Sequence, residues 1–387
     1  MSKIVCISKY PPLEGGIAAK TYWLTKALGE RGNEVHIVTD PPDVSSEYTV
    51  SSLDRPAPLQ NVTVHRPEQE IPWHIPEDQH RALSLLDKAV QVIDHVKPDI
   101  IDTGYLVPYG LVGYHASLIT GVPFVLRHGG SDLAKFVSQG IWQALFEKAF
   151  RAASLIITDH SHLDSFQHLK SKVIAITPYV PNPALFYQRG RSASSPPVLA
   201  IVGKANYYWQ HKGWHRVAEI IDILGSKFRY LVMSQGKGFD DFKKFMVKNG
   251  QSGKIEWGPL IHPSDMPALL HRIDGLFAFE SDLPFPAFSN LVLESIYSGV
   301  TIITDTMNML ERYRIEGLDL DVLKESVLPV NTCTPELVAE QIMAHFDKPT
   351  SHQFSYTIST KDYDRYIIDN EDVLGLVLSK SSPVLKV

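Results

Sequence analysis

The stretch Leu283–Thr304, LPFPAFSNLVLESIYSGVTIIT, constrains this chain more than any other. Pro284 and Pro286 keep its opening out of a helix. Ser289 and Asn290 stand where N-caps stand, and Leu291, Val292, Leu293, Ile296 and Tyr297 follow with helical spacing. Gly299 ends that helix as a C′ glycine does, and Val300 to Thr304 reads as a buried strand. A helix that starts in a loop and hands over to a buried strand puts free N–H groups at a sheet's edge. Those groups and the helix dipole attract phosphate. Glu294, about one turn inside, is within reach of sugar hydroxyls beside such a phosphate. The same residues also fit an ordinary buried helix, with Glu294 solvated or paired with a lysine.

The first forty residues repeat this logic. Lys3 to Ser8 is a short apolar run of the kind that forms a central parallel strand. The loop KYPPLEGG follows, then an amphipathic helix from about Ile17 to Arg31 and a second strand, Val35 to Thr39. This order is a crossover unit, with its loop at the carboxyl end of the strand, where open α/β sheets bind ligands. Gly15 and Gly16 let backbone come close to an anionic group there. Residues 41–76 are polar and Pro-rich and read as an irregular insertion with a short strand at Val62 to His65. Helical periodicity covers Glu77 to Val96, and strands are expected at Asp99 to Thr103 and Pro123 to Arg127, with a helix from Pro108 to Thr120 between them. His128 then stands at a strand's carboxyl end beside Gly129 and Gly130. Asp132 is placed to orient a neighbour or to cap the next helix. Ile141 to Arg151 reads as an amphipathic helix whose Trp142, Phe146 and Phe150 face a core.

Residues 187–197, QRGRSASSPPV, have the composition of a linker. Beyond them a new strand, Val198 to Val202, ends at Gly203 and Lys204, and a helix starts near Gly213 and Trp214, just after Lys212. Two cations between a strand's carboxyl end and a helix are placed to hold phosphate. After the strand Leu276 to Phe279, Glu280 and Asp282 lead into the opening stretch.

Composition removes several function classes. The chain has 387 residues, enough for two domains with real cores, and a formal net charge of −6, which disfavours nucleic acid as a partner. Residues 1–180 hold 16 Lys+Arg against 19 Asp+Glu, which argues against strong attraction to an anionic membrane. The two cysteines, Cys6 and Cys333, make no disulfide framework and point to a reducing compartment. The N-terminus lacks the apolar core of a signal peptide, and no apolar run approaches about 18 residues. A cytoplasmic protein is expected. No Asp-x-Asp metal motif or His/Cys ligand cluster stands out, so no metal and no cofactor are expected.

Taken together the motifs resemble those of the family-4 retaining glycosyltransferases. Phe288-Ser289-Asn290, Leu293-Glu294-Ser295, Gly299 and Ile302-Ile303-Thr304 are similar to that family's donor-site motif. Its first glutamate and adjacent glycine fall on Pro286 and Ala287. The loop with Gly15 and Gly16, followed by GNEVHIVT, resembles the family's first loop, and RHGGSDL its His-Gly-x-Asp segment. TPYVPNPALF resembles its Pro-Asn-Gly-Val-Asp segment in Pro181, Asn182 and Phe186, without the Gly-Val-Asp centre. Lys204 takes the place of an arginine and Lys212 that of a lysine that grip the leaving diphosphate.

The resemblance implies the GT-B fold: α/β, two facing Rossmann-like doubly wound domains with a cleft between them. Expected boundaries are 1–186 for an N-terminal acceptor domain, 187–197 for a linker and 198–360 for a nucleotide-sugar donor domain. Residues 361–387 would form a closing helix packing back across both. It implies transfer of a sugar, with retention, from a nucleotide sugar (UDP-linked in the commonest case) to a hydroxyl of a glycan, glycolipid or small metabolite. In that scheme His128 approaches the transferred sugar, and Lys204 and Lys212 neutralise the diphosphate. Gly15, Gly16, Asn290 and Leu291 border it, and Glu294 binds the ribose. Glu280 and Asp282 are the carboxylates nearest the donor sugar now that Pro286 replaces a glutamate. The alternatives are another nucleotide-sugar enzyme of the same fold, an epimerase or an inverting transferase, and a non-catalytic nucleotide-sugar-binding relative.

Overall fold

Strands buried on both faces appear in sequence as unbroken apolar runs, and here such runs build two all-parallel sheets. The computed structural model describes residues 1–41, 46–52, 56–68, 79–176, 178–188, 196–205, 209–250, 252–279, 289–316, 326–330, 334–347 and 360–381. The chain divides into two units. Unit 1 comprises Met1–Thr49, Arg55–Tyr179 and Asp364–Val387; unit 2 comprises Val50–Asp54 and Val180–Tyr363.

The sheet of unit 1 contains β1 (Lys3–Ile7), β2 (Glu34–Val38), β3 (Val62–His65), β4 (Ile100–Thr103), β5 (Phe124–Arg127), β6 (Leu155–Thr158) and β7 (Val173–Ala175). Their order is β3-β2-β1-β4-β5-β6-β7, so the direction of winding reverses between β1 and β4. Four helices return the chain between strands: α1 (Gly16–Glu30), α2 (Gln79–Val96), α3 (Leu111–Thr120) and α4 (Gln143–Ala152). α2 buries Leu85, Ala89, Val92, Ile93 and Val96, one stripe at helical spacing, into a core shared with Val5, Ile101, Val112 and Phe146. The strand within the 41–76 insertion pairs in register with β2, Val35 opposite Val62, and forms the sheet's edge.

Two local features depart from the sequence expectations. The segment expected to start a helix at Pro108 first makes a π-turn, Leu106–Gly110, in which Val107 is extended; the α-helix begins at Leu111. α4 begins at Gln143, because Trp142 adopts the left-handed conformation (φ 53°) and cannot continue a helical turn. Phe146 and Phe150 are buried, but Trp142 is 44% exposed, so only two of the three expected core aromatics enter the core. Trp142 stacks on Phe136 instead, 5.5 Å between centroids.

The last helix, α11 (Thr360–Ser381), completes unit 1 from Asp364 onward. Arg127 donates to Asp102 (2.6 Å) and to the side-chain carbonyl of Asn370 (2.7 Å), all three being buried. Tyr366 meets Tyr179 edge-on.

Unit 2 contains β8 (Val198–Lys204), β9 (Arg229–Gln235), β10 (Ile255–Gly258), β11 (Gly275–Phe277), β12 (Thr301–Thr304) and β13 (Val327–Pro329), in the order β10-β9-β8-β11-β12-β13. The reversal lies between β8 and β11. The helices are α5 (Trp214–Leu224), α6 (Phe239–Lys248), α7 (Met266–Leu270), α8 (Asn290–Tyr297), α9 (Asn308–Ile315) and α10 (Pro335–Phe346). Trp209, Trp214 and Trp257 each pack on Phe242, which is fully buried. Ser51, from a segment remote in sequence, also belongs here. Its N–H donates to the Leu260 carbonyl and its carbonyl accepts from His262, both at 2.7 Å.

Removing one member of a buried ion pair strands the other. Asp102→Ala is therefore expected to cost about 3–5 kcal/mol of unit 1 stability. The urea midpoint of unit 1 unfolding checks it, and a shift no larger than that of an exposed Asp→Ala control would refute it.

Candidate active site

The carboxyl ends of β8, β11 and β12 form the edge at which unit 2 reverses its winding, the place where open α/β sheets bind ligands. β8 ends in Gly203 and Lys204. The Lys212 ammonium donates to the Lys204 carbonyl at 2.7 Å and lies 5.1 Å from the centre of the Trp214 ring. Gly203 beside it has φ 152°, a backbone conformation that side chains rarely adopt, and a Cβ there would make only ordinary contact with that ammonium (3.5 Å) and Trp214 (3.6 Å). Gly213 (φ 64°) starts α5 hard against Phe279, with no space for a Cβ. The fold thus brings the two expected lysines to one loop.

Arg216, in the first turn of α5, is a third cation of this edge. It donates to Asp305 (2.6 Å), whose side chain is buried just after β12, and stacks over Phe279 at 5.0 Å. Its position one turn beyond Lys212 was the available signal in the sequence, and only the fold shows that Asp305 meets it.

α8 begins with Asn290 and Leu291, both half-buried. The Ser289 hydroxyl accepts from the Val292 N–H at 3.4 Å, and its carbonyl accepts from the Tyr313 hydroxyl at 3.2 Å. Glu294 is 3% exposed, so it is not a solvated surface carboxylate. Glu280 and Asp282, with Pro286 and Ala287, lie outside the described residues.

In unit 1 the corresponding edge lies where β1, β4 and β5 end. Gly15 (φ 112°) precedes α1 in a conformation that side chains rarely adopt, and its carbonyl accepts from Ala19. Glu14, buried beside it, pairs with Lys9 at 3.7 Å. Gly129 sits against Tyr105 and Ile17, where a Cβ would come within 2.8–2.9 Å of both. Asp132 fixes the loop that carries His128. One carboxylate oxygen accepts from the Gly129 and Leu133 N–H groups (2.9 and 3.0 Å), and the other from Leu106 (2.9 Å).

His128 is 8% exposed and has both ring nitrogens engaged. Its Nδ1 accepts from the Gly130 N–H at 3.1 Å, so the proton sits on Nε2, which donates to the Thr158 hydroxyl at 2.7 Å. Burial lowers its pKa to about 3, with Asp159 opposing and His162 and Lys20 adding to the shift. The imidazole is therefore neutral at physiological pH. It orients neighbours by hydrogen bonds and brings no charge to the site.

The sign of the resulting linkage follows. An unfolded histidine titrates near 6.5, so on acidification the unfolded chain takes up the proton first. This stabilisation is complete above that value and is lost as the pH falls toward about 3, by up to ~1.4 kcal/mol per pH unit. His128→Gln is expected to flatten the stability profile between pH 6 and 4 (~2 units of the window). Parallel profiles for variant and parent in thermal unfolding would refute it.

Among the described residues there is no group of three or more His, Cys, Asp or Glu able to hold a metal ion, and no helix long and apolar enough to cross a membrane. Residues 14–180 match the family described as Glycosyltransferase Family 4. No curated protein sequence matches the chain. Solved structures share its architecture over almost all its length. Sucrose-phosphate synthase from Thermosynechococcus elongatus covers 98% of this chain and 95% of its own, at 13% identity and a TM-score of 0.64. Anabaena HepE in complex with UDP-glucose covers 98% and 100%, at 14% identity and 0.64. The S. aureus MnaA–UDP structure covers 95% and 91%, at 13% and 0.53. The chain thus has the GT-B fold, and its residues 14–180 are similar to the Glycosyltransferase Family 4 model.

Proposed function

We propose that this protein moves a sugar from a nucleotide-sugar donor to an acceptor hydroxyl with retention at the anomeric carbon, without a metal ion. The observation that carries the reading is the edge of unit 2, where Lys212 is anchored over the end of β8 on the same edge as the amino end of α8. Cations and the amides of a helix's first turn together suit a diphosphate, whose negative charge grows as it departs. Lys204, Lys212 and the amides of Asn290 and Leu291 take that role. Glu294 binds the ribose. In unit 1, Gly15 and Gly16 let backbone approach an anionic group, and His128, its ring nitrogens held by Gly130 and Thr158, contributes an uncharged ring. UDP is the expected nucleotide, and the presence of UDP-glucose in HepE supports it.

In the reaction the acceptor oxygen bonds to the anomeric carbon on the face that the leaving group vacates. The bond from that carbon to the diphosphate breaks with its electron pair, and the departing diphosphate takes the hydroxyl proton. The chain's residues bind, orient and neutralise; none needs to form a covalent intermediate.

Thermal shift against UDP, GDP, ADP and dTDP tests the donor site. A nucleotide at 100 times its Kd is expected to stabilise by about 2.7 kcal/mol. The effect should survive EDTA and be lost in Lys212→Ala and Glu294→Ala. Incubation with the matching nucleotide sugar then separates outcomes by NMR of the anomeric proton: a glycoside of retained configuration supports the proposal. An inverted product, or a nucleotide sugar epimerised without transfer, would replace it, and no shift with any nucleotide would abolish it.

A further inference from the structure

We propose that His36 and His65 form a proton-sensitive clasp on the edge of the unit 1 sheet. The pair holds β3 while it carries no more than one added proton and lets the strand go on the second. The inference is independent of the transferase reading.

β3 is four residues long, pairs with β2 alone and leaves Thr63 and Val64 exposed. Side-chain contacts across β2 and β3 therefore weigh heavily in holding it. The ladder sets His36 opposite Thr63 and His65 opposite Val38, so the two histidines are diagonal neighbours. Their rings stack with 5.2 Å between centroids and 24° between planes. Nδ1 of His36 lies 2.9 Å from Nε2 of His65. On its other side, Nε2 of His36 lies 2.9 Å from a carboxylate oxygen of Glu34, which Lys3 of β1 meets at 3.3 Å.

The protons of this row can be counted. The hydrogen bond from His36, opposed by burial and helped by Lys3, holds the Glu34 carboxyl below its ordinary pKa. An ionised carboxylate only accepts, so His36 carries its proton on Nε2 and its Nδ1 is an acceptor. His65 must then donate from Nε2. One further proton fits, on Nδ1 of His65 or, by moving the shared proton across, on His36. The bond between the rings survives either way. A second added proton would set two N–H groups face to face across 2.9 Å, with no acceptor between them and a positive charge on each ring.

The surroundings resist that second proton. α2 brings Lys88 and, when protonated, His95 toward the pair; Lys88 also meets Glu68 at 3.9 Å. Burial, then His36, Lys88 and His95, all push the pKa of His65 down from 6.5. A released His65 titrates near 6.5, so below that value the free strand takes up the proton that the held strand refuses. The clasp is closed above that value and weakens as the pH falls below it. Its release reaches the carboxyl edge of the sheet. The His65 carbonyl accepts from Thr39 at 3.1 Å, and Arg66 donates to the carbonyls of Asp40 and, at 2.6 Å, of Pro11, in the loop that leads to Gly15.

Hydrogen exchange of the full chain, read by mass spectrometry and corrected for intrinsic rates, tests the clasp. One linked proton changes an equilibrium by up to about tenfold per pH unit. The peptide over β3 should therefore open about tenfold more at ~pH 5 than at ~pH 7.5, while peptides over β1 and β5 stay protected. His65→Gln keeps a donor for His36 and does not titrate, so its β3 exchange should be flat over that range. Lys88→Gln removes a charge that resists the second proton and should move the release to higher pH. Nitrogen-15 imidazole spectra should show N–H on Nε2 of both rings at neutral pH, and two coupled titration steps with the second below 6.5. Flat exchange of β3 in the parent, an equal acid response in His65→Gln, or rings that titrate independently would overturn the inference. If His65→Gln does not fold, the spectra of the parent decide it.

Discussion

In an all-parallel sheet no strand can turn straight into its neighbour; each must be returned by a crossover. This constraint governs both units. It places the carboxyl ends of all strands of a sheet along one edge, covers both faces with helices and leaves ligand-facing loops only at that edge. Where the winding reverses, at β1/β4 and β8/β11, consecutive crossovers run to opposite faces and the loops diverge. Most residues assigned a role lie on a loop, a strand's last residue or a helix start at such an edge, with Glu294 one turn further into α8.

The two edges are built differently. In unit 2 the ordering groups are charged: Lys212 on a carbonyl and a ring, Arg216 on Asp305. In unit 1 they are tight backbone turns and a neutral imidazole, with Asp132 tying the loops after β4 and β5 together through three amide hydrogen bonds. A diphosphate calls for the first kind of edge and an uncharged hydroxyl compound for the second.

Much of the fold was legible because burial on both faces leaves apolar runs whose length and order are readable, and the GT-B expectation stands on that order. Glycine positions were legible too: Gly15, Gly203 and Gly213 occupy left-handed or tight turns that other residues fit poorly. What escaped depends on partners distant in sequence. The pairing of Ser51 with Leu260 and His262, the contact of Arg216 with Asp305 and the edge strand Val327–Pro329 leave no periodic trace. Trp142 misled because its spacing suits a helix while its backbone does not. The neutrality of His128 could not be read, since it follows from Gly130 and Thr158 acting on opposite nitrogens.

The hydrogen bond from Arg127 to Asn370 spans 243 positions. A ribosome makes the chain from one end at about 5–20 residues per second. All strands of unit 1 have therefore emerged well before Asn370 exists, while Arg127 already pairs with Asp102 beneath an uncovered patch of sheet. Unit 2 is synthesised in the interval. The first unit to appear is the last to be finished, so its exposed seam has to be tolerated or shielded for about 10–40 seconds of synthesis. Truncation near the carboxyl terminus strikes the core of the amino-terminal unit.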